Sequence, residues 1–554
     1  GRRQRRMCIR DRGRTVCASG LSTINKSNII YALCRLKGVT AFCLASDEKE
    51  AQTLCNDLSC MGLRAYVYPV RDFNFLDFQS RSHEYEHARL KVLLKLLNHE
   101  CDVAIACVDA AAQLTVPKSV LEQSVIEFEE GRELSLEKAT KALTLLGYER
   151  FDAVEGSGQF SLRGGILDFF MPDSDYPVRC EFWGDEITDL SYFDIETQRR
   201  FKKADKITLS PSTEIVIEDR AALADKIEHK AKLLRSKNSA KAKEKLFSEA
   251  ELIRSGAMIA NADKFINQIY DKPESLFDYL DRNTLVFASE FTAIQERGKS
   301  MDFISNETLM QGFEDGTLCR GFDRFALTFN ECTEFLQSHG TIVLENFVHG
   351  SMSIKLSEII SFSTKQLSAW GGSYKQLKVD VDGLFTPESK GVIFAGTERA
   401  AKNLCDTFNA DGINAVYSEG ADKISKGELL VMQGALSAGF EYPSQKFFAI
   451  TYSQVSYRPE KSKKKKKKTG QEIYSLSELT PGDYVVHNVH GIGVFGGIRK
   501  IDTHGVIKDY IKIDYAKGDV LYVPVTQLDM VAKYIGPKAV SYTHLRAHET
   551  CADL

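Results

Sequence analysis

The chain has 554 residues, 43% of them hydrophobic and 27% charged, with a net charge of −4. That length exceeds what one hydrophobic core organises, so several domains are expected, and the near-balanced charge excludes a chain-wide field for a polyanion. Thirteen cysteines lie scattered through apolar segments without a CxxC pair, which points to a reducing cytoplasm rather than a disulfide frame or a zinc site. No apolar run approaches the roughly 18 residues of a membrane span, so no membrane partner is expected.

Met7 to Arg12 and Val540 to Thr550 read as translated adaptor sequence, so 1–14 is set aside as a non-native or disordered leader and 538–554 as a non-native tail. From about Thr15 to Val125 strands alternate with helices. Val39–Ala45, Ala65–Val70 and Asp102–Val108 are buried-strand runs, and a helix covers Glu84–Leu97. Asp47 and Glu50 form a capping box for a helix that Gly62 closes. This is βαβ grammar and implies a parallel sheet. Gly20-Leu21-Ser22-Thr23-Ile24-Asn25-Lys26-Ser27 is a phosphate loop, GxxxxGK[ST], with Asn25 where the second glycine belongs. Its acidic counterpart is best sought at Leu285–Glu290, where Ser289 stands in for the magnesium-holding Asp and only Glu290 remains. Gly20, Asn25, Lys26, Ser27, Ser289 and Glu290 therefore read as a degenerate nucleotide site, with no catalytic residue.

The next segment, about 126–210, is a β-meander. Leu162 to Phe170 reads as one strand whose Gly164-Gly165 pair marks a bulge or a close backbone approach. In Val178–Trp183 alternate side chains share a face. Val178, Cys180 and Phe182 form a core face; Arg179, Glu181 and Trp183 form the other. An indole beside an arginine and a carboxylate is hot-spot chemistry, although Trp183 could equally cover a second core layer. The strings Arg163 to Phe170, Arg179 to Ile187 and Asp194 to Arg199 resemble the UvrA-binding domain shared by UvrB and the bacterial transcription-repair coupling factors (Mfd). The resemblance implies UvrA as a partner, contacted through Arg163, Arg179 and Trp183. It also makes the flanking α/β segments, 15–125 and 211–362, the two parts of a split UvrB-like domain that has lost its nucleotide chemistry.

Asp219–Ser255 reads as one or two long helices. A second α/β domain is expected over 363–458: Gly391–Gly396 is a strand, Thr397 an N-cap, Glu398–Ala410 a helix and Gly412 its stop. Gly434–Phe440 faintly resembles a helicase loop, and a plain surface turn is the simpler reading. The lysine run at 459–471 reads as a solvated linker. Beyond it, 472–537 has the short strands of a small barrel: Asp483–Asn488, Gly491–Ile498, Asp509–Tyr515 and Val520–Val525, with a hairpin turn at Ala516–Asp519. His487 and His490 lack further ligands, so hydrogen bonding is preferred to metal.

His490 to Gly493 and Asp514 to Val525 resemble the CarD-like polymerase-interacting domain of the same coupling-factor family. That implies the β subunit of RNA polymerase as a partner and supports Ile501 as a contact. A barrel of roughly 60 residues cannot pair all its edges, so the docking edge is expected at Phe495–Ile501, where Ile498 and Ile501 are apolar. The expected fold class is thus α/β multidomain: a UvrB-like split parallel-sheet domain with an inserted antiparallel β domain, a second α/β domain, and a small CarD/Tudor-like β-barrel. The family resemblance further implies a monomer in transcription-coupled repair. ATP, Mg2+ and double-stranded DNA would belong to translocase domains expected beyond residue 538, making the parent an ATP-dependent translocase while this part binds no cofactor. UvrB itself and a free-standing CarD-like regulator are the alternatives. UvrB would need an intact phosphate loop, and a lone CarD-like protein would leave the first 460 or so residues unexplained.

Overall fold

A computed structural model of the chain describes residues 14–71, 84–123, 126–234, 239–256, 262–348, 350, 352–367, 374–420, 424–452, 470–472, 481–487, 491–503, 506–515, 520–524 and 531–534. The lysine-rich segment, His490, the Ala516–Asp519 turn and both terminal segments lie outside these residues. The chain divides into two compact units, Gly1–Tyr457 and Arg458–Leu554. Among the described residues no helix is long and apolar enough to cross a membrane.

The first unit is built on a seven-stranded parallel sheet. Its spatial order is Leu356–Ser361, Thr15–Ser19, Ile342–Glu345, Leu285–Ser289, Ala41–Ala45, Val103–Cys107, Ala65–Tyr68. Ala41–Ala45 and Val103–Cys107 are buried along their whole length, because helices cover both faces of such a sheet and no polar alternation is needed. One half of the sheet comes from the start of the chain and the other from beyond residue 284, which is the split expected from sequence. The expected strands shorten at their ends, and Val108 already belongs to a short helix.

The capping box is only half formed. Asp47 accepts the Glu50 N–H at 2.7 Å, but Glu50 turns its carboxylate to the Ser46 N–H and hydroxyl, at 2.9 and 2.6 Å, rather than to Asp47.

The inserted domain hangs on a two-stranded ribbon, Ile126–Glu129 paired antiparallel with Lys206–Leu209. Between them runs a six-stranded sheet in the order Arg200–Lys203, Glu186–Phe193, Val178–Trp183, Ile166–Phe169, Gln159–Arg163, Glu149–Arg150. Its inner face buries Leu167, Phe169, Cys180, Phe182 and Leu190 against Ala139 and Leu143 of the helix Leu136–Leu145. The segment Leu162–Phe170 is not one strand. Gly164 and Gly165 make a two-residue hairpin turn that sets Arg163 opposite Ile166. Gly164 is left-handed at φ 62°. A Cβ on Gly165 would stand 2.7 Å from the Phe182 carbonyl oxygen, so the close-approach reading holds for that residue.

Two helices follow, Arg220–Leu233 and Ser239–Arg254, rather than one. The second α/β sheet has the order Lys365–Leu367, Gly439–Tyr442, Phe447–Thr451, Lys390–Phe394, Glu428–Met432, Ala415–Tyr417. Thr397 caps the helix Glu398–Ala410 by accepting the Ala400 N–H at 3.2 Å.

The second unit is a curled antiparallel half-barrel. Its strand order is Gly470–Glu472, Val531–Tyr534, Tyr484–His487, Gly491–Thr503, Val506–Asp514, Val520–Pro524. Ile511 and Ile513 are buried with Val485, Phe495 and Val523, while Tyr510, Lys512 and Asp514 alternate outward, as strand period dictates.

Candidate functional site

The outer face of the inserted sheet carries Arg163, Arg179 and Trp183. Strand register places Ser161, Asp168, Arg179 and Ser191 in one row, and Arg163, Ile166 and Glu181 in the next. Trp183 ends its strand beside the Gly184 turn and is 82% exposed. An indole so far from any core layer rules out the packing reading and leaves about the largest rigid contact area a side chain can offer.

The two arginines differ. Asp168, 1% exposed, accepts Arg179 Nε at 2.7 Å, Arg179 Nη2 at 2.8 Å and Arg163 Nη2 at 3.1 Å. The Arg163 side chain is 54% exposed and that of Arg179 only 13%. Its hydrogen bonds to Asp168 raise the Arg179 pKa above its ordinary value. Arg179 is therefore not a free surface arginine, as sequence spacing suggested; its guanidinium neutralises a buried carboxylate.

The phosphate-loop residues also gather, around a different centre. The helix α1 (Thr23–Lys37) begins inside the loop, and Lys26 is buried at its first turn. Lys26 Nζ donates to Glu290 Oε1 at 2.6 Å, Ser289 Oγ at 3.0 Å and Glu50 Oε1 at 3.2 Å. Burial pushes Glu50 up, but Lys26 and the Ser289 and Ser46 bonds more than offset it and hold the carboxyl below its usual range. Glu290 has a left-handed backbone, φ 54°. Asn25 is fully buried and accepts the Ser22 hydroxyl at 2.7 Å. A Cβ on Gly20 would stand 2.3 Å from the Phe362 carbonyl oxygen, so the bare backbone there serves a neighbouring strand end.

The remaining approach to the loop is filled by the second α/β sheet. Ile24 packs in one core with Val392, Phe394, Leu436 and Phe440. Asp57, on the helix α2 (Glu48–Cys60), accepts the Ser437 N–H and hydroxyl, both at 2.7 Å, and the Ser27 hydroxyl at 3.4 Å. Burial pushes Asp57 up to about 6, which the serine bonds only partly offset. Gly434–Phe440 is thus an inner contact of the unit, not a surface turn.

In the half-barrel the strand Gly491–Thr503 is not an outermost strand. Gly491–Val494 pair with Tyr484–His487, and Phe495 also bonds to Asp483 on that side. On the other side the strand follows Val506–Asp514 to its end, with a bulge between Phe495 and Ile498. Among the described residues Ile498–Thr503 have a ladder partner on one side only, so an open edge begins after the bulge rather than at Phe495. Ile498 is 46% exposed. Ile501 lies opposite Lys508. Ile501 lies three positions beyond Ile498 along an unbroken register, an odd spacing that gives the two positions no common face.

Family models match two segments: the UvrB interaction domain over residues 126–215 and the CarD-like/TRCF RID domain over 479–535. Full-length relatives align with nearly all of the chain. It is 29% identical over 530 residues to a protein of Bacillus subtilis (strain 168), covering 94% of this chain and 45% of that one. Identity is 27% over 493 residues to a protein of Staphylococcus epidermidis and 24% over 482 to one of Staphylococcus aureus (strain MRSA252), each covering 85% of this chain. All three are transcription-repair-coupling factors. The chain spans less than half the length of these relatives.

The UvrB interaction match encloses the meander with Arg163, Asp168, Arg179, Trp183 and Gln198, and it ends just beyond the stem ribbon. The CarD-like/TRCF RID match encloses the half-barrel with Ile498. Sequence reasoning missed Asp168 and Gln198 as partners of Arg179, and Glu50 and Glu345 beside Lys26. Asp168 did carry a signal, being a carboxylate between Leu167 and Phe169 on a strand whose inner face is apolar. Nothing in the local sequence says that Glu345 faces Glu290.

Proposed function

We propose that this chain is the partner-binding portion of a transcription-coupled DNA repair factor. The meander recruits UvrA and the half-barrel docks on the β subunit of RNA polymerase. ATP-driven movement along double-stranded DNA belongs to the part of the relatives that this chain does not span. The observation that carries the reading is the exposed Trp183 on the same outer face as the exposed Arg163, within the segment that matches the UvrB interaction domain. Trp183→Ala is expected to weaken UvrA binding by on the order of 2 kcal/mol, the cost of truncating an interface anchor. A calorimetric titration in which Trp183→Ala binds UvrA like the parent chain would remove this face from the contact.

The polymerase assignment rests on the open edge after Phe495 in the segment that matches the CarD-like/TRCF RID domain. Such an edge takes an added strand from a partner sheet, with main-chain bonds giving affinity and flanking side chains giving specificity. A strand laid along it meets positions on both faces, so Ile498 and Ile501 both remain in the proposed contact. Ile498→Arg or Ile501→Arg is expected to abolish pull-down of the β subunit while the circular dichroism is unchanged, because a guanidinium desolvated without a partner costs several kcal/mol. Retained pull-down by both variants would move the contact to another strand.

A further inference from the structure

The proposed UvrA face has a buried layer beneath it that decides what the face presents. We propose that Asp168 and Gln198 are positioning residues: they hold Arg179 within the sheet, so that Arg163, on the same outer face as Trp183, is the arginine that meets a carboxylate of the partner. This rests on the reading of the face as the UvrA contact.

The first support is donor count. A guanidinium has five N–H groups and no acceptor. Arg179 gives Nε and one Nη2 hydrogen to Asp168, its second Nη2 hydrogen to Gln198 Oε1 at 3.1 Å, and an Nη1 hydrogen to the Gln198 carbonyl at 3.2 Å. One donor remains. The guanidinium also lies over the Phe193 ring, 4.4 Å from its centroid, which fixes its plane.

The second support is the turn that delivers Gln198. Asp194 accepts the Thr197 N–H and hydroxyl at 2.8 and 2.9 Å, and the Gln198 N–H bonds to the Asp194 carbonyl at 2.8 Å. Gln198 takes a left-handed φ of 56°, a conformation uncommon for a residue with a side chain. Its own amide is anchored to the Ile195 carbonyl at 2.9 Å. The turn therefore holds Arg179 from the flank of Glu186–Phe193, while Asp168 holds it from the opposite neighbouring strand.

Arg163 differs in each respect. It makes a single bond to Asp168 and is more than half exposed. The half-buried Ile166 is its direct cross-strand neighbour. The surface so formed suits a partner with a carboxylate for a partly exposed fork and an apolar cleft for an indole.

The test combines UvrA titration with thermal unfolding of the whole chain. Gln198→Gly removes the amide acceptor and fits the left-handed backbone, so it changes Arg179 without a folding penalty. Arg163→Ala is expected to weaken UvrA about tenfold at an unchanged Tm, as a direct interface arginine does. Arg179→Met is expected to lower the Tm as well as the affinity. Gln198→Gly is expected to weaken UvrA severalfold at an unchanged Tm, and to add nothing in the Arg179→Met background. That coupling is what a residue acting through Arg179 gives. Should Arg179→Met fail to fold, Arg163→Ala and Gln198→Gly decide the matter alone. The proposal is overturned if Arg163→Ala and Gln198→Gly bind UvrA like the parent while Trp183→Ala does not, or if Arg179→Met loses affinity at an unchanged Tm. If Trp183→Ala and Arg163→Ala both bind normally, the face itself is misassigned.

Discussion

Replacing Lys26 by methionine is expected to cost about 3–5 kcal/mol of folding stability and to leave no nucleotide phenotype behind. In a working phosphate loop the lysine serves the ligand, and its loss abolishes binding while the fold survives. Here Lys26 is buried and its ammonium is divided among Glu290, Ser289 and Glu50. Methionine keeps the length of the stem and removes the charge, so two carboxylates lose their common counter-ion in a site with little water. The parent chain should in turn gain no thermal stability from ATP and magnesium. Asn25 fills the space of the missing glycine, and the core shared by Ile24 and Phe440 closes the approach. A Lys26→Met chain with the parent Tm, or a rise in the parent Tm at millimolar ATP, would contradict this account.

Glu345→Gln is expected to stabilise the protein above neutral pH by on the order of 2 kcal/mol and to leave it nearly unchanged near pH 4. Glu345 is fully buried at the end of its strand. One carboxyl oxygen accepts the Phe291 N–H at 2.7 Å, and the other has no donor unless it carries a proton that it can share with Glu290. Burial, with the nearby Glu290 charge adding to it, pushes Glu345 up to about 7 despite the Phe291 bond and Lys26.

The sign follows from proton counting. With its pKa raised on folding from the ordinary value near 4.5, Glu345 binds more proton in the folded chain than in the unfolded one between those values. Its contribution is fully present below about pH 4.5 and is lost as pH rises through about 7. Asp57 acts in the same direction between about 4 and 6 in both chains, so its effect cancels in the difference between variant and parent when urea unfolding is compared at pH 4 and pH 8. Glutamine keeps an acceptor for Phe291, supplies a permanent donor toward Glu290 and does not titrate. A variant less stable than the parent at pH 8 would refute the shared proton.

How much of this was legible beforehand depended on distance along the chain. The period-two pattern at Val178–Trp183 determined that Trp183 and Arg179 leave the core face, because successive strand residues face opposite ways whatever surrounds them. Turn and cap chemistry at Thr397, Gly62 and Gly184 marked element ends within a residue or two, since a helix terminus satisfies its orphan groups locally. The damaged phosphate loop was likewise visible in eight consecutive residues.

The fate of each outward side chain was not local. Arg179 and Trp183 are equivalent by alternation, yet one is locked and the other free, because Asp168 lies opposite one of them on the neighbouring strand. Lys26 reads as a nucleotide ligand until Ser289 and Glu290 arrive from 263 and 264 residues away. Asp57 looks like an ordinary helix acid until Ser437 arrives from 380 residues away. Short-range pattern determined which way each of these groups points. Only the tertiary structure decided what it meets there, because a buried charge takes its counter-ion from whichever segment the sheet order brings alongside.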